Sequence, residues 1–114
     1  MIASQFRLSG QASFDNVLKR GRIVQAESFG LAYLDRGDDQ VTKYGFIVST
    51  KVSKLAVQRN RIKRALSEAA RFLTGDVKTG FDVVFLAKPV GIKMSTDVIM
   101  REVREALIKA NLLK

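Results

Sequence analysis

The chain has 114 residues, the size of one domain, and 46% of them are hydrophobic, so a core can form without metal or disulfide help. It contains no cysteine and no histidine, which excludes disulfides, thiolate metal sites, a cysteine nucleophile, and the commonest general base and metal ligand. A total of 20 basic against 11 acidic side chains leaves a formal net charge of +9, which points to a polyanionic partner.

No run of about 18 apolar residues is present, and Met1-Ile2-Ala3-Ser4-Gln5-Phe6-Arg7 lacks the apolar stretch of a signal peptide. One soluble cytoplasmic domain spanning residues 1–114, with no membrane partner, is the expectation.

Residues 11–20 read as a short helix, with Phe14, Val17 and Leu18 at i, i+3, i+4 and Gly21 where a C-terminal cap belongs. Arg22 to Ala26 is a short strand. Phe29 to Leu34 is apolar and partly aromatic, which suits a second strand. Asp35-Arg36-Gly37-Asp38-Asp39 is a turn, and a third strand runs from Thr42 to Ser49. The strands flanking that turn are expected to pair as a hairpin. From Val57 to Leu73 the spacing of Ile62, Ala65, Leu66, Ala69 and Leu73 predicts the strongest helix of the chain. Phe81-Asp82-Val83-Val84-Phe85-Leu86-Ala87 reads as a central strand buried on both faces. A last helix is expected from Ser95 to Ala110, with Ser95 as N-cap and Val98, Ile99, Val103, Ala106 and Leu107 inward. The order α-β-β-β-α-β-α is that of an α+β sandwich, with three helices on a sheet of about four strands.

The loop and helix start from Lys51 to Arg64 carry Lys51, Lys54, Arg59, Arg61, Lys63 and Arg64 and no acid. At about 100° per residue, an inward Ile62 turns Arg64 and Asn60 outward and puts Arg61 on one flank, Arg59 and Lys63 on the other. Cations at a helix N-terminus oppose the macrodipole by roughly 0.3–1 kcal/mol each. A bound phosphate relieves that opposition and uses the free N–H groups. Arginine grips phosphate with two parallel hydrogen bonds, and Asn60 can reach a base edge or a 2′-hydroxyl. The bland alternative is a solvated charged face. Such faces normally mix signs, and here the first acid is Glu68.

Asp35, Asp38 and Asp39 are close enough in sequence to hold a divalent ion, but turns use Asp and Gly for backbone reasons, and the turn reading is favoured. Glycine-rich phosphate loops are absent.

At Arg59-Asn60-Arg61-Ile62-Lys63-Arg64, following Val48-Ser49-Thr50-Lys51, the chain resembles the bacterial ribonuclease P protein family, marked by Arg-Asn-Arg-x-Lys-Arg after a Val-Ser-x-Lys strand end. Phe6-Arg7-Leu8 through Phe14-Asp15-Asn16-Val17, and Asp82 through Lys88-Pro89, extend the likeness over nearly the whole chain. The resemblance implies a mixed sheet with a left-handed βαβ crossover, against the usual hand. It implies a partnership with a catalytic RNA that cuts the 5′ leader from precursor tRNA using Mg2+, the protein itself contributing no catalytic residue. It gives Arg59, Asn60, Arg61, Lys63 and Arg64, with Lys51 and Lys54, to RNA binding. It gives Phe14, Leu18, Phe29 and Ala32 to a leader-binding cleft between the basic helix and the sheet. Leu18 and Ala32 stand where many members carry aromatics, and Ser67 where many carry arginine. Which residues meet metal is not legible from the sequence. A ribosomal RNA-binding protein is the alternative. A DNA-binding helix-turn-helix needs a supporting helix before the basic one, where a hairpin is expected instead, so DNA is not an expected partner.

Overall fold

The computed structural model describes residues 2–114. Helices α1 (Gln11–Arg20), α2 (Ala56–Leu73) and α3 (Thr96–Lys109) pack on strands β1 (Arg22–Gln25), β2 (Phe29–Asp35), β3 (Lys43–Ile47) and β4 (Phe81–Ala87). The sheet order is β1-β2-β4-β3, with β1–β2 and β2–β4 antiparallel and β3–β4 parallel. The fold is thus α+β with a mixed four-stranded sheet, and β3-α2-β4 is its crossover unit.

The expected pairing of β2 with β3 does not occur: β4 lies between them, and β2 makes its hairpin with β1. The reason lies in β4. Val83, Val84 and Phe85 are all buried, and a strand covered on both faces belongs between two neighbours, not at an edge. Lys43, exposed at the start of β3, suits the edge position instead. The segment after β2 is therefore a wide loop laid across the start of β4. Gly80 pins it from both sides, donating to the Gln40 carbonyl and accepting from the Arg36 N–H. Arg36 completes the tie: it donates to the carbonyls of Phe81, Gln40 and Val41 and pairs with Asp82 at 2.6 Å and Asp38 at 3.0 Å.

Strand alternation divides the core in two. On one face Phe29, Leu31, Tyr44, Val83 and Phe85 meet Ile62, Ala65, Leu66 and Ala69 of α2 and Ile99, Val103 and Leu107 of α3. Each valine, leucine, isoleucine or phenylalanine among them contributes about 1.5–3 kcal/mol when fully buried. On the other face Ala32 and Val84 meet Val17 of α1, with Phe14, Ile47 and Leu86 packed beside them. Helix α1 ends at Gly21 for lack of room. A Cβ there would sit 2.5 Å from the carbonyl oxygens of Tyr33 and Val17, so glycine is what lets α1 approach β2.

Helix α3 starts as expected, the Ser95 hydroxyl accepting from the Val98 N–H at 3.3 Å. Three short 3-10 turns, Ser4–Phe6, Thr74–Asp76 and Pro89–Lys93, lie between or before the main elements. The described N-terminal segment also joins the sheet edge: Arg7 bridges Tyr44, and the Leu8 N–H donates to the Tyr44 carbonyl at 2.8 Å.

Candidate nucleic-acid interface

The start of α2 is poorly built as an isolated helix. Its N-cap is Leu55, which offers no side-chain acceptor, and its first turn has no acid. Ser53 takes over part of the capping: its hydroxyl accepts from the Leu55 N–H at 3.0 Å and donates to the Gln58 side chain at 2.6 Å. Arg59 closes the same loop by donating to the Ser53 carbonyl at 2.9 Å.

Arg61 is committed inward as well. Its guanidinium donates to the carbonyls of Met94 at 3.1 Å, Gly91 at 3.2 Å and Ile92 at 2.9 Å. These oxygens lie within and just after the Pro89–Lys93 turn, so Arg61 ties α2 to the connection between β4 and α3. The expected basic face thus splits. Arg59 and Arg61 are half-buried and hold backbone, whereas Asn60, Lys63, Arg64, Lys51 and Lys54 are exposed.

Asn60, Lys63 and Arg64 line a cleft of about 420 Å³ between α2 and the β3 edge. Tyr44, Gly45 and Phe46 form its β3 side, and Phe14, Arg7 and Leu8 close it. Phe14 fits because residue 45 is glycine: a Cβ there would lie 2.3 Å from the Phe14 ring. The Tyr44 hydroxyl shares a 3.1 Å hydrogen bond with Thr74, and burial pushes its pKa above the ordinary value, so it stays neutral. Ser67, where a longer basic residue would have extended the charged face, is buried in the cleft wall with its hydroxyl on the Arg64 carbonyl.

The four expected cleft residues do not share a face. Phe14 and Ala32 lie in the α1-side cluster, Ala32 fully covered. Leu18, 43% exposed, follows the buried Val17 at the rim of α1. Phe29 is wholly buried on the opposite face, its ring edge-on to Phe85 at 5.5 Å. Positions 29 and 32 of one strand differ by an odd number, so alternation alone separates them. What joins Phe14 and Leu18 on the α1 side is apolar and only partly covered. Ile23, 53% exposed, pairs across from Ala32, and half-buried Leu86 pairs across from Gly30 and Ile47. The common face of Ile23, Leu86 and Ile47 depends on strand register, which the sequence does not display.

The three aspartates at 35, 38 and 39 do not gather. Asp35 accepts from the Gly37 N–H, and Asp38 accepts from Gln40 and binds Arg36. Among the described residues no group of three or more His, Cys, Asp or Glu side chains is placed to hold a metal, and no helix is long and apolar enough to cross a membrane. The element before α2 is a strand, without the supporting helix of a helix-turn-helix.

Comparison with known proteins agrees with this architecture. A family model described as ribonuclease P matches residues 2–111. The ribonuclease P protein component of Pseudanabaena sp. is 33% identical over 99% of this chain and 97% of its own length. That of Symbiobacterium thermophilum is 32% identical over 96% and 94%. Among solved structures, the Staphylococcus aureus RNase P protein superposes with a TM-score of 0.87 at 25% identity, over 96% of this chain and 98% of that one.

Proposed function

Since the chain belongs to the ribonuclease P protein family, we propose that it is the protein component of a ribonucleoprotein endoribonuclease that matures the 5′ end of tRNA in the cytoplasm. The observation that carries this reading is the exposed set Asn60, Lys63 and Arg64 along a cleft, flanked by Lys51 and Lys54, with Arg59 and Arg61 bracing it from within.

In this reading the catalytic RNA is gripped by Asn60, Lys63 and Arg64, with the loop lysines adding phosphate contacts. The single-stranded leader of precursor tRNA lies over the partly covered sheet face beside α1, where Phe14, Leu18, Ile23 and Leu86 offer apolar surface to unstacked bases. With one aromatic in that set, affinity for the leader comes more from apolar contact than from ring stacking. The carboxylates of Asp35, Asp38 and Asp82 are bound to backbone N–H groups or Arg36 and do not fit a metal site. In this reading magnesium and bond cleavage belong to the RNA. The chain's own work is to screen repulsion between two polyanions. The ribosomal RNA-binding alternative has no observation in its favour here.

Reconstitution tests the proposal. Cleavage of precursor tRNA by a transcribed ribonuclease P RNA is measured at low magnesium, with and without the protein. Stimulation is expected, with a steep dependence on monovalent salt. No stimulation refutes the function, and cleavage by the protein alone refutes the assignment of chemistry to the RNA.

A further inference from the structure

Two of the three most exposed large hydrophobic side chains of the described residues lie two positions apart: Val57 at 81% and Leu55 at 62%. Neither choice serves the helix. Leucine at an N-cap forfeits about 1 kcal/mol against Ser, Asp or Asn. A β-branched residue in an exposed first turn adds stiffness without packing. Isolated exposed hydrophobics are ordinary on protein surfaces, but these two form a pair at one tip.

Their setting indicates what covers them. Val57, Asn60, Arg64 and Ser67 recur at i, i+3, i+7 and i+10, one stripe of the helix. The last three line the α2 cleft, so Val57 continues that cleft's wall one turn toward the helix start. No acidic residue occurs between Asp39 and Glu68, and Lys51 and Lys54 are exposed in the loop just before the tip. An apolar tip on a segment that carries cations and no acid complements a partner that is itself apolar in patches and anionic throughout. Nucleobases on a phosphate chain have that character.

We infer that Leu55 and Val57 pack against an unpaired, unstacked nucleobase of the partner RNA, between phosphates held by Lys54 on one side and by Asn60 and Arg64 on the other. This rests on the reading of α2 as the RNA-gripping helix. It adds a contact that carries no charge and therefore releases no counterion.

The Leu55→Ser, Val57→Ser double variant tests it, with transcribed ribonuclease P RNA as the probe, titrated over a range of monovalent salt. Affinity should fall about tenfold, near 1.4 kcal/mol, while the log–log salt slope stays at the wild-type value. Chemical probing of the RNA should show altered protection confined to unpaired nucleotides. The Val57→Tyr variant should bind more tightly than wild type, because a ring stacks on a base. Unchanged affinity in the double variant overturns the inference, as does weaker binding by Val57→Tyr with an unchanged melting temperature. Concentration-dependent self-association that the serines abolish would assign the tip to a second copy and overturn it too. Wild-type binding without salt dependence would instead refute the reading of α2 itself.

Discussion

Replacing Arg61 with alanine separates a brace from a grip. The side chain donates three hydrogen bonds, at 2.9–3.2 Å, to the carbonyls of Gly91, Ile92 and Met94. Hydrogen bonds to a charged group contribute roughly 1.5–3 kcal/mol each. The three share one guanidinium, the site is half-buried, and water satisfies part of what is vacated, so the net loss is about 2–3 kcal/mol. With an unfolding entropy of about 2.1 cal/mol/K per residue, a chain this long should melt about 8–12 °C lower. Calorimetry on Arg61→Ala and Arg64→Ala, with RNA binding measured across salt, gives two independent readouts. Arg61→Ala should lower the melting temperature and leave the log–log salt slope of RNA binding unchanged. Arg64→Ala should do the reverse, keeping stability and reducing the slope by about 1. An Arg61→Ala protein that melts like wild type and loses a unit of slope would refute the assignment of Arg61 to the fold.

Phe14→Ala should weaken binding of precursor tRNA with a long leader while leaving binding of mature tRNA unchanged; equal losses for both would contradict a leader contact. Gly45→Val places carbon within 2.3 Å of the Phe14 ring and should destabilise by about 1–3 kcal/mol through overpacking, read as a lower denaturant midpoint at constant m-value, with the Phe14 resonances displaced. Glu68 is held at about 2, chiefly by its hydrogen bonds to Arg71. Its folded pKa lies below the unfolded value of about 4.3, so its stabilising contribution is complete above that value and fades as pH falls toward 2. An NMR titration should show the Glu68 midpoint rise in Arg71→Ala; a midpoint that stays in place would exclude Arg71 as the cause.

The elements were legible because each left a periodic trace. Val17, Ile62, Ala65, Leu66, Ile99 and Val103 announce buried helix faces, and the unbroken apolar run from Val83 to Leu86 announces a central strand. The order of strands was not legible. Adjacency in sequence favours a hairpin across Asp35–Asp39, and what overrides it is the demand of β4 for a neighbour on each side. The basic motif marks a region of the surface, and the structure divides it residue by residue. Arg59, Arg61 and Arg64 are the same residue type within six positions, and only the places of the Ser53 and Gly91–Met94 carbonyls decide which of them turn inward. Phe29 illustrates the limit of aromatic content as a signal: its ring is large enough to be either core or stacking surface, and strand alternation decides for core.

The placement of β4 between β2 and β3 also bears on how the chain is made. Phe29 pairs with Ala87, and Ile47 with Leu86, so most of the sheet is closed by partners distant in sequence. Until residue 87 has left the ribosome, β3 has no strand to pair with apart from the short N-terminal bridge at Tyr44, and the apolar face of α2 lacks Val83 and Phe85 beneath it. A lone β1–β2 hairpin is marginal in water, and pairings of such long sequence separation close late and slowly. The basic helix therefore acquires its bracing carbonyls at Gly91–Met94 only after β4 has emerged. A nascent chain that has emerged only as far as α2 carries the charge of the interface without its shape, and the two coincide only once residues 91–94 have followed.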